Sequence, residues 1–413
     1  MEVLAQVFLC IVESGLQHDD TRFAEGTFTF LQVCRHWNEV AVGSSQLWVR
    51  WIPGAVKAWP LFNSRSKGAP LFLTWRPQLH NTGRDTLAVP RRIRQLDFGG
   101  DSRQFEHLLS AFDSSPALHA SSIRLHITPY GARKQATSLL SLSFPKLSKL
   151  DIEDFLPDSS SPIFTTSNLT SLKLRFPYGD RPRYTLARLS WILQKHPGLR
   201  RLDLENGAVP LVGSLEVPAP FIFPQLVSLR LCGVEATIVG LIDLVGMPSP
   251  LHNVIIHFLC SSEQMVPALG SIVGEIVMAY YGCQGLDYPR KASNLAVSSD
   301  PWGSAPVFNA EHHSTSPSRP TSQLMLQFNR SDDELAEKTS LLFPLIHVRE
   351  FTAVGLNLPT ARWCRILQEM EGLSHLRLDH LDIGPVLGAL NFDDQGMYNE
   401  ATGVTLNHSH ARR

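Results

Sequence analysis

One phrase recurs along this 413-residue chain and constrains its fold more than any other feature: apolar, two residues, apolar, one residue, apolar. Clean copies stand at Leu147-Leu150-Ile152, Leu169-Leu172-Leu174, Leu199-Leu202-Leu204, Leu226-Leu229-Leu231 and Leu373-Leu376-Leu378. Weaker ones are Ile93-Leu96-Phe98, Leu251-Val254-Ile256 and Val348-Phe351-Ala353, and two begin on a polar residue, Ser122-Leu125-Ile127 and Thr321-Leu324-Leu326. First positions from 93 to 251 lie 29, 25, 22, 30, 27 and 25 residues apart, and after a gap of 70 the spacing is 27 and 25. The alternating second half of the phrase marks a short strand that buries every second side chain. The near-regular period makes each strand one unit of a stack, with the intervening chain returning over the other face.

Phe144-Pro145, His196-Pro197 and Phe223-Pro224 precede three copies and are natural ends for a preceding helix, such as the run 184–195. The period falls in the roughly 20–29-residue range of leucine-rich repeats, which the phrase resembles. That family's Asn or Cys three residues after the last leucine is missing, however. Phe155, Pro177, Gly207, Val234 and Leu381 hold those places. The ladder of side-chain bonds that regularises the turns should then be absent. The expectation is an α/β chain: a small N-terminal three-helix module, then an irregular leucine-rich-repeat-like solenoid with a parallel β-sheet. The solenoid is predicted over 86–282 and 321–390. Seven serines and five prolines in 284–320 predict a disordered insertion, and the polar stretch 391–413 a flexible tail.

Composition narrows the function classes. Lys+Arg 37 against Asp+Glu 38 argues against a nucleic-acid binder, whose affinity needs a basic excess. Six cysteines without a C-x-x-C pair exclude a disulfide scaffold and the usual zinc modules. The apolar start lacks a basic residue before Arg22, unlike a signal peptide. The apolar runs 236–247 and 266–282 carry Asp243 and Glu275 and are short for a membrane span. The sequons at Asn168, Asn329 and Asn407 thus lack a secretory context, and an intracellular protein, cytoplasmic or nuclear, is expected. No nucleophile elbow, phosphate-binding loop, dinucleotide fingerprint or zinc-protease motif occurs, so no enzyme, cofactor or metal is expected. His312-His313 lacks further ligands at metal spacing, and the cluster His375, Arg377, Asp379, His380 and Asp382 reads mainly as outward positions of a repeat strand.

The first fifty residues read as helices. Leu4, Phe8 and Ile11, widened by Val7 and Val12, form one apolar stripe; Phe30, Val33, Cys34, Trp37 and Ala41 form a second. Gly43 ends that helix, and Ser44 or Ser45 can cap a third bearing Leu47 and Trp48. The string LQVCRHWNEVAVGSSQLW, Leu31 to Trp48, resembles the second half of an F-box, and EVLAQVFLCIVES resembles its first helix. KAWPLFNSRSKGAPLFLTW, Lys57 to Trp75, is similar to the segment after the F-box in proteins abundant in mushroom-forming (basidiomycete) fungi. The likeness covers about residues 1–75, with the module over 1–52 and a connecting helix and strand over 53–85. The family's usual Leu-Pro ahead of the first helix is missing, since the sequence starts Met1-Glu2-Val3. Either the start is incomplete or the adaptor contact is weaker.

The resemblance implies a substrate-recruiting subunit of a cullin-type ubiquitin ligase. Leu4, Phe8, Val33, Trp37, Leu47 and Trp48 would dock on the adaptor protein of the SCF complex. The repeat sheet would hold a target protein, whose identity no residue encodes. Outward positions beside the leucines carry seven basic residues, Arg124, Lys149, Lys173, Arg175, Arg201, Arg230 and Arg377. They carry seven acidic ones, Asp97, Asp151, Glu153, Asp203, Glu205, Glu350 and Asp379. This mixture suits a protein partner rather than nucleic acid or membrane, although such groups can also face only water. The rival reading is a repeat scaffold whose vestigial F-box has no ligase link.

Overall fold

The computed structural model describes residues 2–17, 29–51, 59–75, 92–101, 105, 120–127, 144–154, 157, 160–165, 168–175, 186–205, 223–233, 235–245, 253–258, 294–299, 306–312, 322–328, 348–354, 358–371, 373–379, 384–390 and 405–408. The chain forms two compact units, Met1–Gly179 with Trp191–His196, and Asp180–Ser190 with Pro197–Arg413. Each is an α/β stack built on parallel strands.

The first unit opens with helix α1 (Glu2–Gln17), a 3-10 turn (Thr29–Gln32), helix α2 (Arg35–Gly43) and a second 3-10 turn (Ser45–Trp48). Aromatic rings close this segment. Phe8 is fully buried, and its ring meets Trp37 edge-on at 5.3 Å. The buried Trp48 Nε1 donates to the Ala41 carbonyl at 2.8 Å. Its ring lies 5.2 Å from Phe62 on helix α3 (Trp59–Arg65), with the Arg65 guanidinium 4.5 Å from its centre. Trp48 therefore pins the N-terminal helices to α3. The expected serine side-chain cap is absent: Ser44 ends α2 through its backbone N–H, which reaches the Val40 and Ala41 carbonyls.

Six parallel strands occur in chain order: β1 (Arg50–Trp51), β2 (Leu71–Trp75), β3 (Ile93–Gly100), β4 (Ser122–Ile127), β5 (Lys149–Glu153) and β6 (Ser171–Arg175). The register stacks Leu96, Ile123, Leu150 and Leu172 in one column and Phe98, Leu125, Ile152 and Leu174 in the next. All eight are buried. Burying a side chain of this size is worth about 1.5–3 kcal/mol, so the period fixes the register: a slip of one residue would turn both columns to solvent. A short helix, α4 (Pro162–Thr165), buries Ile163 and Phe164 between β5 and β6 in sequence. Arg92 locks the loop after α3 to the start of β3, donating to Asn63 Oδ1 and Ser66 Oγ at 2.6 Å and to the Ala69 carbonyl at 2.8 Å.

Helix α5 (Leu186–Gln194) has residues in both units. The second unit repeats the pattern in β7 (Arg201–Glu205), β8 (Ser228–Gly233) and β9 (Asn253–Phe258), with Leu202, Leu229 and Val254 in register, then Leu204, Leu231 and Ile256. Helix α6 (Glu235–Val245) buries Ile238, Leu241, Leu244 and Val245. The stack then departs from strict sequence order. Strands β10 (Asn294–Ser299), β11 (Pro306–His312) and β12 (Ser322–Phe328) form an antiparallel meander in which β12, not β10, pairs with β9. Strand β13 (Glu350–Val354) pairs with β10, and β14 (His375–Asp379) and β15 (Thr405–His408) extend the parallel run. Helix α7 (Thr360–Gln368) buries Trp363, whose ring lies 6.2 Å from Phe351. On α8 (Gly384–Ala389), a Cβ at Gly388 would stand 3.0 Å from Thr360 Cγ2, so glycine lets α8 approach α7 closely.

Two expectations are corrected here. The segment 284–320 contains β10 and β11, and the tail contains β15. Averaged composition hid short alternating strings: NLAVSS and PVFNAEH hold only one of the five prolines, Pro306, at the first position of its strand. Proline is tolerated there because it need not donate to the ladder. The positions three residues past each last leucine, the run 266–282, and His313, His380 and Asp382 lie outside the described residues.

Candidate functional site

The outward columns of the first unit are a charge ladder. Asp97, Arg124, Asp151 and Lys173 stand opposite one another on β3 to β6, alternating in sign. Arg124 Nε donates to Asp151 Oδ2 at 3.0 Å, with Asp97 Oδ2 4.0 Å from its Nη1 and Lys173 Nζ 3.9 Å from Asp151. Burial pulls the Arg124 guanidinium down, but the charges of Asp151 and Asp97, the Asp151 hydrogen bond and Glu153 outweigh it and leave its pKa raised. The next column holds His126, Glu153 and Arg175. Glu153 Oε1 lies 3.8 Å from Arg175 Nη1, and its Oε2 lies 3.3 Å from His126 Nδ1. Asp154, in the left-handed region at φ 68°, brings its carboxylate to 3.6 Å from His126 Nε2 while its N–H donates to the Arg175 carbonyl. Asp tolerates that conformation better than most residues.

Of the nine residues expected to bind a target, Asp151, Lys173 and Arg175 are therefore held in cross-strand pairs, and only Lys149 of the first unit stands exposed outside the ladder. In the second unit Asp203 and Arg230 approach to 3.9 Å, and Arg201 and Arg377 are exposed. Asp379 lies opposite Val354 at the end of β14. The neighbouring column of β7 to β9 sets Cys232 and His257 beside a single carboxylate, Glu205. Cys232 Sγ lies 3.5 Å from His257 Nδ1, with Glu205 on the adjacent strand. Burial, then the Glu205 charge, pushes the Cys232 thiol up to about 12, with Arg230 opposing. Burial also lowers His257, aided by Arg230 and opposed by Glu205. A nucleophilic cysteine needs the opposite shift, so this pair is a packed thiol beside a neutral imidazole. Among the described residues, no group of three or more His, Cys, Asp or Glu side chains could hold a metal ion, and no helix is long and apolar enough to cross a membrane.

The N-terminal helices present a second surface. Of the six residues expected at an adaptor contact, Phe8, Leu47 and Trp48 are core residues, at most 1% exposed. Leu4 and Trp37 are half-buried, and Val33 is 60% exposed. Among the described side chains of α1, the large apolar groups in solvent are Val3, Val7 and Ile11, at i, i+4 and i+8 and so on one helix face. The sequence stripe through Leu4, Phe8 and Ile11 is thus mostly the inward face, and the outward stripe lies one residue earlier. Apolar residues on nearly every side of α1 hid that distinction.

A further feature escaped sequence reading. The residue before each strand's first outward position often carries a hydroxyl that bonds the preceding repeat. Ser121 Oγ donates to the Arg94 carbonyl, Ser148 Oγ to that of Ser121 at 3.0 Å, Thr170 Oγ1 to that of Ser148 at 3.1 Å, and Ser374 Oγ to that of Arg349 at 3.0 Å. Two backbone N–H groups join each of the last three: Ser148 and Lys149 on Ser121, Thr170 and Ser171 on Ser148, Ser374 and His375 on Arg349. A hydroxyl ladder at the leading end of the strands thus links neighbouring repeats. Leu-Ser/Thr-x-Leu was its signal. The chain matches no family model and no curated protein.

Proposed function

We propose that this chain is an F-box-type, substrate-recruiting subunit of a cullin-type ubiquitin ligase, working inside the cell, in the cytoplasm or nucleus. One observation carries the reading: a small aromatic-pinned helical segment leaves Val3, Val7, Ile11 and Val33 exposed ahead of a repeat sheet. An apolar helix face in water fits a protein that docks a partner's helix. The adaptor of the SCF complex is that partner, and the sheet with its outward polar groups holds the protein to be modified. The chain supplies proximity rather than chemistry, raising the local concentration of target lysines.

A second reading has its own support. Phe8, Leu47 and Trp48 are already used within the fold, as expected of a cap on a protein-binding scaffold without a ligase. Co-purification of the full chain with the adaptor separates the two. Capture by the wild type, and its loss in a folded Val3→Asp/Val7→Asp variant, supports the ligase reading; no capture leaves the scaffold.

A further inference from the structure

The leading end of the first unit's sheet differs from the ladder beyond it. Arg94, Lys146 and Lys149 are exposed there, and among the described residues none makes an ion pair or side-chain hydrogen bond. Arg94 is the extra residue of a β-bulge: Leu71 faces Ile93 and Phe72 faces Gln95, so Arg94 is left over and turned into solvent. Lys146 sits in the turn Phe144–Leu147, closed by the Leu147 N–H on the Phe144 carbonyl, three residues ahead of Lys149. The carbonyl rungs Arg94, Ser121 and Ser148 place these cations at the starts of β3 and β5. Two strand spacings, about 10 Å, separate those starts.

Among the described residues, no carboxylate leads into these strands. The residues leading into β3, β4, β5 and β6 are Arg92–Gln95, Ala120–Ser122, Phe144–Lys149 and Asn168–Ser171, without an Asp or Glu among them. The first acids along the strands, Asp97 and Asp151, already face Arg124 and Lys173. Among the described residues the face is therefore compensated along the strands and uncompensated at their start. In the second unit Arg200 and Arg201 before Leu202 are again basic and exposed, whereas before Phe351 the exposed Arg349 is followed by the exposed Glu350.

We propose that the leading edge of β3–β5, through Arg94, Lys146 and Lys149, binds an acidic segment of a partner protein. The proposal rests on the reading of the chain as a recruiting subunit and names the chemistry of what it recruits. Residues i and i+3 of a polyproline-II segment share a face about 9 Å apart, which matches the separation of the two strand starts. A nucleic-acid strand fits less well. Its charge is continuous, and it would have to pass the carboxylates of Asp97 and Asp151 as well as the free cations.

The test is fluorescence anisotropy of the full chain with a labelled peptide of about twelve residues repeating Glu-Pro-Ser. A Gln-Pro-Ser peptide and a single-stranded oligothymidine of equal charge serve as controls. The Glu peptide should bind, more weakly as salt rises, and the Gln peptide should not. Arg94→Ala/Lys149→Ala should weaken binding at least about tenfold, since it removes two of the three free cations. Lys149→Glu should do the same, whereas Arg35→Ala, which removes a cation on α2, should leave binding unchanged. Circular dichroism confirms that the variants fold. Equal binding by the double variant, binding of the Gln peptide, or tighter binding of the oligothymidine overturns the proposal. Adaptor capture is read separately: loss of peptide binding with capture intact sinks only the edge, and loss of capture sinks the recruiting role.

Discussion

Within the first unit, the helices of residues 2–48 leave Val3, Val7, Ile11 and Val33 in solvent, while β3 to β6 bury every leucine of their repeat and match charges across strands. Burial in the helices depends on a few large rings, each touching several elements. In the sheet it is divided among many equivalent side chains, each backed by the same neighbour one repeat away. The helices thus concentrate their stability and keep an apolar surface for something else. The sheet spreads its stability and uses most of its polar surface on itself.

The sharpest way to break that contrast is Trp48→Ala. It empties a buried indole site and removes the bond to Ala41, so thermal or denaturant unfolding should show a loss of about 3–5 kcal/mol. Val7→Asp on the same helices should change stability by less than about 0.5 kcal/mol, because the side chain is 46% exposed. If the two variants destabilise equally, the division between pinning and docking residues is wrong.

Next comes Asp151→Ala in the ladder. It removes the acceptor of Arg124 and the neighbour of Lys173, leaving no carboxylate between the cations on β4 and β6. Arg124 is 57% exposed at its side chain, which screens the pair. The expected loss is about 1 kcal/mol at low salt, shrinking toward zero near 1 M salt where screening acts over about 3 Å. A loss that ignores salt would mean that Asp151 acts by packing rather than charge.

Ser148→Ala tests the other ladder. Its hydroxyl is one of three donors on the Ser121 carbonyl, and the two N–H groups remain, so the loss should be about 0.5–1 kcal/mol and insensitive to salt. This ladder shows what the sequence made legible. The buried columns through Leu150 and Leu172 were readable because apolar alternation is itself the physical requirement of a half-buried strand. Ser148 and Thr170 were equally visible, but an expectation set by asparagine beyond the last leucine pointed to the opposite end of the strand. The strands β10 and β11 were lost to an average over 37 residues, and the left-handed Asp154 had no local signal, since neither glycine nor a turn motif marks it. On α1, periodicity found the stripes but could not tell inward Phe8 from outward Val7, because both are apolar and only the tertiary partner decides.

The smallest expected effect lies where the second unit exchanges charge for neutrality, at Cys232 and His257. His257 is held below its ordinary 6.5 mainly by burial, so the unfolded chain takes up its proton first. Stability from this group is present above the unfolded value and lost as pH falls through the folded one. Cys232, raised from 9.0 to about 12, contributes stability below the unfolded value that is lost as pH rises between the two. His257→Gln should therefore flatten only the acid limb of the stability profile. Near pH 8, iodoacetamide should label the exposed Cys10 and Cys34 in the folded chain and reach the buried Cys232 only after denaturation. Rapid labelling of Cys232 in the folded chain would require a thiolate held by an imidazolium. The column beside Glu205 would then be a reactive dyad, and its neutrality could no longer be set against the ion-paired column of the first unit.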